Sequence, residues 1–258
     1  LRNLIVYSHF VYHTYVISAF FHTFSSAKSF VNITKTLSPF FIFIGLSMLS
    51  VGWVCGLLFA PHDAVQGNAY RIIFLHVPAV IYAELIYFFM ALCALMHLVW
   101  RVKLAAYLIN SAAPIGAMIT FIGLFSGSVW GIPTWGTWWQ WDARITSTLI
   151  LFIMYLGILT LHGSFSNLEK SDRLMSILVV IGVVNIPIIK KSVDWWSTLH
   201  QPASISVSGG SSIDPSMLYP LLISIIGLGF TLISLGILSS RSYILGREKN
   251  KKWVSEYV

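Results

Sequence analysis

Two histidines and a dense run of tryptophans are the side chains of this sequence best equipped for chemistry. His76 sits in F-L-H-V-P at 74–78, and His200 in W-W-S-T-L-H-Q-P at 195–202. Between them lies W-G-I-P-T-W-G-T-W-W-Q-W-D-A-R at 130–144, with five tryptophans in twelve residues: Trp130, Trp135, Trp138, Trp139 and Trp141. The run closes on Asp142 and Arg144. A neutral imidazole is a ready metal ligand. An indole offers a broad flat face and an N–H that needs a partner, and an arginine fork matches a carboxylate. Together these groups suit a haem. The two imidazoles supply both axial ligands to the iron, the indoles lie against the porphyrin, and basic groups, Arg144 above all, pair with the propionates.

Each part also has an ordinary reading. A lone imidazole at a membrane boundary is more often a hydrogen-bonded interfacial residue, and tryptophans form aromatic belts there. Asp142 is well placed to cap the helix that follows it. The density of the run favours a binding surface, with Gly131, Pro133 and Gly136 expected to break the helix. His62 is a weaker alternative ligand, and His97 and His162 fall at the opposite ends of their helices. Glu84, an intramembrane carboxylate, is a functional suspect. It has no proton-relay partner in the neighbouring spans and reads as a buried, protonated group.

The elements that must position these residues are membrane helices. The 258 residues are 57% hydrophobic and only 10% charged, with a mean hydropathy of +0.79, against about 25% charged in soluble domains. The expected fold is all-α, a polytopic integral membrane protein of six transmembrane helices with a Trp-rich outer loop. The spans are read at 37–60, 72–100, 104–128, 145–162, 174–189 and 216–240, each an apolar run scaled to a bilayer. Pro187 shortens the fifth, so Lys190 and Lys191 are expected to snorkel at its end. Pro78 is read as lying in a first helical turn. Residues 1–36 are an N-terminal extension of uncertain status, 37–240 the membrane domain, and 241–258 a basic tail. Lysine and arginine counts put both ends of the six-helix core inside, which places His76, the tryptophan run and His200 together on the outer face. The outer cations Arg71, Arg144, Lys190 and Lys191 are then exceptions that need a function. The net charge of +7 orients helices and does not point to nucleic acid. Cys55 and Cys93 lie in apolar runs without a C-x-x-C or C-x-x-C-H spacing, which argues against thiol redox chemistry and covalent haem attachment to this chain.

W-G-T-W-W-Q-W-D-A-R-I-T at 135–146 fits the "WD domain" pattern W-G-x-x-W-x-W-D-x-R-x-T of haem-handling proteins in cytochrome c biogenesis. With F-L-H-V-P, W-W-S-T-L-H-Q-P and six spans, residues 37–240 resemble the cytochrome c maturation protein C (CcmC) family of haem exporter proteins. The resemblance implies transiently bound haem b with His76 and His200 as axial ligands. It also implies a haem- and chaperone-binding surface at Trp135, Gly136, Trp139, Trp141, Asp142 and Arg144, with Trp130, Trp138 and Arg71 beside it. The implied partners are the membrane-anchored haem chaperone CcmE, the ABC-type subunits CcmA and CcmB, and the small membrane protein CcmD. The implied role is haem delivery within a haem-transport complex, not an enzyme in its own right. The implied location is a bacterial inner membrane with periplasmic loops, or a mitochondrial inner membrane with loops in the intermembrane space. The competing classes are a b-type electron-transfer cytochrome and an ABC permease subunit for another substrate.

Overall fold

The computed structural model describes residues 26–196, 198–200, 205–206, 210–211 and 213–257. In lipid every backbone N–H and C=O must find a partner within the protein, which favours helices wherever the chain is long and uncharged. The helices are α1 (Ala27–Thr34), α2 (Leu37–Trp53), α3 (Ile73–Trp100), α4 (Lys103–Trp135), α5 (Ala143–Gly163), α6 (Leu168–Gly182), α7 (Asn185–Trp195) and α8 (Pro215–Arg247). A π-helical turn, Val54–Phe59, extends α2, and a 3-10 turn, Asn68–Ile72, leads into α3. Six spans are long and apolar enough to cross a membrane: Leu37–Phe59, Asn68–Trp100, Lys103–Trp135, Ala143–Gly163, Leu168–Trp195 and Pro215–Arg247. The protein is a polytopic all-α membrane protein. Among the described residues, extended pairing is confined to a two-residue antiparallel match of Ile205–Ser206 with Gly210–Ser211.

The helix ends are set by identifiable residues. Asp142 caps α5 by accepting the Ile145 N–H at 2.7 Å, and Asn167 caps α6 by accepting that of Lys170 at 3.1 Å. Asp214 caps α8 through Ser216, with Pro215 in the first turn where its missing N–H costs nothing. Inside the bundle, Tyr87 and Tyr155 are fully buried against each other, and the Tyr155 hydroxyl donates to the Ala83 carbonyl at 2.8 Å. This joins α5 to α3. Helices α2 and α8 pack closely because small residues face each other: a Cβ on Gly45 would stand 2.5 Å from the Thr231 nitrogen.

Four expectations need correction. The third span does not stop near 128; α4 runs through Gly131 and Pro133 and ends only at Gly136, whose φ of +73° turns the chain. Pro133 is accommodated within α4's last turn, so Trp130 and Trp135 are helical residues. The fifth span is two helices, with Val183 and Val184 between them, and Pro187 falls in the first turn of α7, where proline is tolerated. Pro78 lies in the sixth position of α3, not its first turn. The Phe74 carbonyl, which its missing N–H leaves idle, accepts the Trp53 indole N–H at 3.1 Å. Finally, Glu84 has a partner: its Oε2 lies 3.0 Å from Lys190 Nζ.

Two apolar clusters mark the ends of the bundle. At the tryptophan end, Ala60, Ile73, Phe74, Met217 and Leu221 gather with Trp130 and Ile213, drawing the first and fifth connections onto the end of α4. At the other end, Val31 of α1 packs with Leu104, Tyr107 and Ile244, and Lys28 pairs with Glu256 of the tail at 3.3 Å. Residues 27–36 are therefore packed onto the tail, while 1–25 of the expected extension lie outside the described residues. Helix α8 continues past 240 to Arg247.

A candidate ligand site at the tryptophan end

His76 lies in the first turn of α3, facing α4 where the sequence runs G-L-F-S-G-S at 123–128. Only small residues let the ring approach so closely: a Cβ on Gly127 would stand 2.9 Å from His76 Cε1. His76 Nδ1 is 3.0 Å from the Gly123 carbonyl and 3.1 Å from Ser126 Oγ. A carbonyl only accepts, so this contact puts the proton on Nδ1 and leaves Nε2 with its lone pair. Trp130 packs edge-on to the same ring at 5.6 Å, and its own N–H donates to Gln66 Oε1 at 2.7 Å.

His200 follows α7 and returns to the start of α5. Its Nδ1 lies 2.7 Å from Asp142 Oδ2, while the other oxygen of Asp142 holds the cap of α5. The anticipated cap is thus present, and the same carboxylate also orients a histidine. A carboxylate on one ring nitrogen fixes the tautomer and raises the basicity of the other, the arrangement found behind metal-binding histidines. Burial pushes the His200 imidazole below its ordinary value of 6.5, with the Asp142 hydrogen bond opposing and Arg144 reinforcing the shift. The ring is held neutral, as a ligand must be. Trp135 stands 4.8 Å from it, centroid to centroid.

His76 and His200 therefore occupy one end of the molecule, against α4 residues 123–130 and 135 respectively, each with Nδ1 engaged. Trp139 is part-buried, and its indole N–H finds no partner among the described residues. Trp138 is 48% and Trp141 72% exposed. Gly136 makes the turn that separates the helical tryptophans from these three. Arg144 donates from Nε to Ser192 Oγ at 3.3 Å, fixing α5 to α7. Arg71 is engaged elsewhere: its guanidinium nitrogens donate to the Leu57 and Ala60 carbonyls at 2.8 and 2.6 Å, closing the open end of the π-helical turn. His62 is exposed on the first connection. His97 and His162 lie at the opposite end, the first against the Val102 carbonyl and the second against the Tyr243 ring.

Gly123, Ser126, Gln66 and Ser192 belong to the site although their residue types did not single them out. The small residues Gly123, Ser126, Gly127 and Ser128 were the available signal, since small residues on a membrane helix admit a close neighbour.

Fold and site define a class: a six-span helical membrane protein carrying two tautomer-fixed imidazoles and a tryptophan surface at one end. Comparison with known proteins narrows it. The model of the family CcmC, "Heme exporter protein C", matches residues 20–255. Similar proteins include Heme exporter protein C of Escherichia coli K12, 48% identical over 220 residues that cover 85% of this chain and 89% of that one. The protein of the same name from Haemophilus influenzae is 43% identical, covering 90% and 95%. A ccmC-like mitochondrial protein of Marchantia polymorpha is 46% identical, covering 72% and 78%. The chain belongs to the CcmC family.

Proposed function

We propose that this protein exports haem for cytochrome c biogenesis, holding haem b at the outer face of a bacterial or mitochondrial inner membrane. His76 and His200 ligate the iron through Nε2, with the cargo against Trp130, Trp135, Trp138, Trp139 and Trp141. The observation that carries this reading is the pair of imidazoles at one end, each with Nδ1 held by an acceptor and Nε2 left for a metal. The Trp139 N–H, which has no partner among the described residues, and the Arg144 guanidinium are the groups suited to a propionate. The exposed rings of Trp138 and Trp141 suit a protein partner.

The protein acts by orientation. Two ligands from different connections hold the macrocycle so that its edge faces the chaperone CcmE, with CcmA, CcmB and CcmD completing the ABC-type complex. Binding supplies proximity, while the bond to the chaperone is made by the haem and the partner. This is delivery, not catalysis by the chain itself. A b-type cytochrome spanning two depths is less well supported: of the far-end histidines only His97 has Nδ1 on an acceptor, while His162 packs on the Tyr243 ring and its Nδ1 finds no partner among the described residues.

The test is the absorption spectrum of protein purified with its native membrane partners. A low-spin bis-histidine haem is expected. His76→Ala and His200→Ala should each lose haem or move the spectrum to a weaker ligand set, and unchanged ligation in both would refute the assignment. Replacing Trp135, Trp139 and Trp141 together should abolish chaperone capture while the protein still inserts.

A further inference from the structure

Glu84 and Lys190 form an ion pair that neither the haem reading nor helix capping accounts for. Glu84 lies on α3 eight residues below His76, a rise of about 12 Å. Lys190 lies on α7, the short helix that ends at Trp195 and leads to His200. The Glu84 side chain is 11% exposed and that of Lys190 61%. Beside them is a cavity of about 160 Å³, lined otherwise by Ile81, Leu85, Phe88 and Ile186. Removing Lys190 leaves the largely buried Glu84 carboxylate among apolar side chains without its cation, whereas Lys190 itself is accessible.

The position of this pair gives it a role. Helix α7 follows α6 through Val183 and Val184, which keep helical angles, and is eleven residues long. Two polar contacts fasten it to α5: Asn185 Nδ2 donates to the Ser147 carbonyl at 2.8 Å, and Arg144 meets Ser192. Helix α5 also carries Asp142, which holds His200. The His200 arm, α7 and the head of α5 therefore form one polar-linked unit. The Glu84–Lys190 pair ties that unit to the helix bearing His76.

We propose that Glu84 and Lys190 are positioning residues that set the separation of the two histidine arms. The inference rests on the haem reading for its consequence, but the positioning itself is measurable without haem. The experiment uses the full chain with Cys55 and Cys93 replaced by alanine, and spin labels at Val65→Cys and Leu199→Cys. Both label sites are exposed, one on the first connection and one beside His200. In the haem-free protein the inter-label distance distribution should broaden about twofold in Glu84→Gln and in Lys190→Met. It should return to the parent width in Lys190→Arg and in the charge swap Glu84→Lys with Lys190→Glu. In parallel, the two neutralised variants should release haem about tenfold faster and show a high-spin fraction that the swap removes.

Should Glu84→Gln fail to accumulate in membranes, Lys190→Met carries the test, since its site is largely exposed. An unchanged distance width and haem off-rate in the neutralised variants would overturn the proposal. So would broadening that neither Lys190→Arg nor the swap corrects. A parent protein without bis-histidine haem would defeat the haem reading, while the distance measurement would still decide the positioning role.

Discussion

At the scale of single residues, the site depends on how Asp142 divides its two oxygens. One caps α5 and the other holds His200. Asparagine caps a helix about as well as aspartate, but its amide nitrogen cannot accept a proton from an imidazole. Asp142→Asn should therefore keep the cap and lose only the stability of the His200 hydrogen bond, while weakening haem binding by about 10- to 100-fold, the usual range for a partner behind a metal ligand. Asp142→Ala should add a loss of about 1 kcal/mol from the missing cap. Haem titration and unfolding measured on both variants separate the two roles. His200 itself makes stability depend on pH. Its folded pKa is depressed, chiefly by burial, so the unfolded chain takes up a proton first as the pH falls. The stabilisation is complete above about pH 6.5 and declines as the pH falls toward the folded value. Unfolding of the haem-free protein across that window should show the decline, and His200→Gln should flatten it. The cap by Asp142 was legible in the sequence because capping is local. Its bond to His200 was not, because the partners lie 58 residues apart and nothing along the chain encodes their meeting.

At the scale of elements, tertiary contact outweighed local punctuation. Glycine and proline at 131 and 133 read as helix breakers, yet α4 passes through both, packed at this point against α3 and the first connection through His76, Tyr70 and Gln66. The six spans were legible because lipid demands long uncharged runs. Arg71, read from the sequence as lying beside the cargo, closes the π-helical turn after α2. A similar repair joins α2 to α3, where the Trp53 indole serves the carbonyl left idle by Pro78. Trp53→Phe keeps the ring but removes the donor, so the Phe74 carbonyl loses its partner. It should destabilise the protein by about 1 kcal/mol, measured by unfolding in mixed detergent, with the haem spectrum of bound protein unchanged.

At the scale of the whole molecule, polar groups concentrate at two opposite ends joined by an apolar bundle. The end away from the tryptophans has its own network. Arg247 reaches Asp172 at 2.7 Å and lies over the Tyr107 and Tyr243 rings, and Asn110 donates to the same carboxylate at 3.2 Å. Arg247→Met should strand Asp172, which is 5% exposed, and cost about 3–5 kcal/mol. Because this network is remote from both histidines, any haem still bound should keep its spectrum; a changed spectrum would mean that the two ends are coupled. The three motifs indicated the family but not its full extent. The family match runs from 20 to 255, beyond the 37–240 stretch that carried the motifs; outside that stretch α1 packs on the tail through residues such as Val31 and Ile244, which have no chemical signature of their own.

The indole that serves the Phe74 carbonyl has an evolutionary corollary. Trp53 is needed there only because a proline sits four places further along the neighbouring helix. Alanine at 78 would let the helix close that bond itself, and the penalty for Trp53→Phe should then shrink toward zero. The two positions should thus behave as an epistatic pair: a lineage is free to lose the tryptophan once it has lost the proline, and in the reverse order it passes through a weakened intermediate.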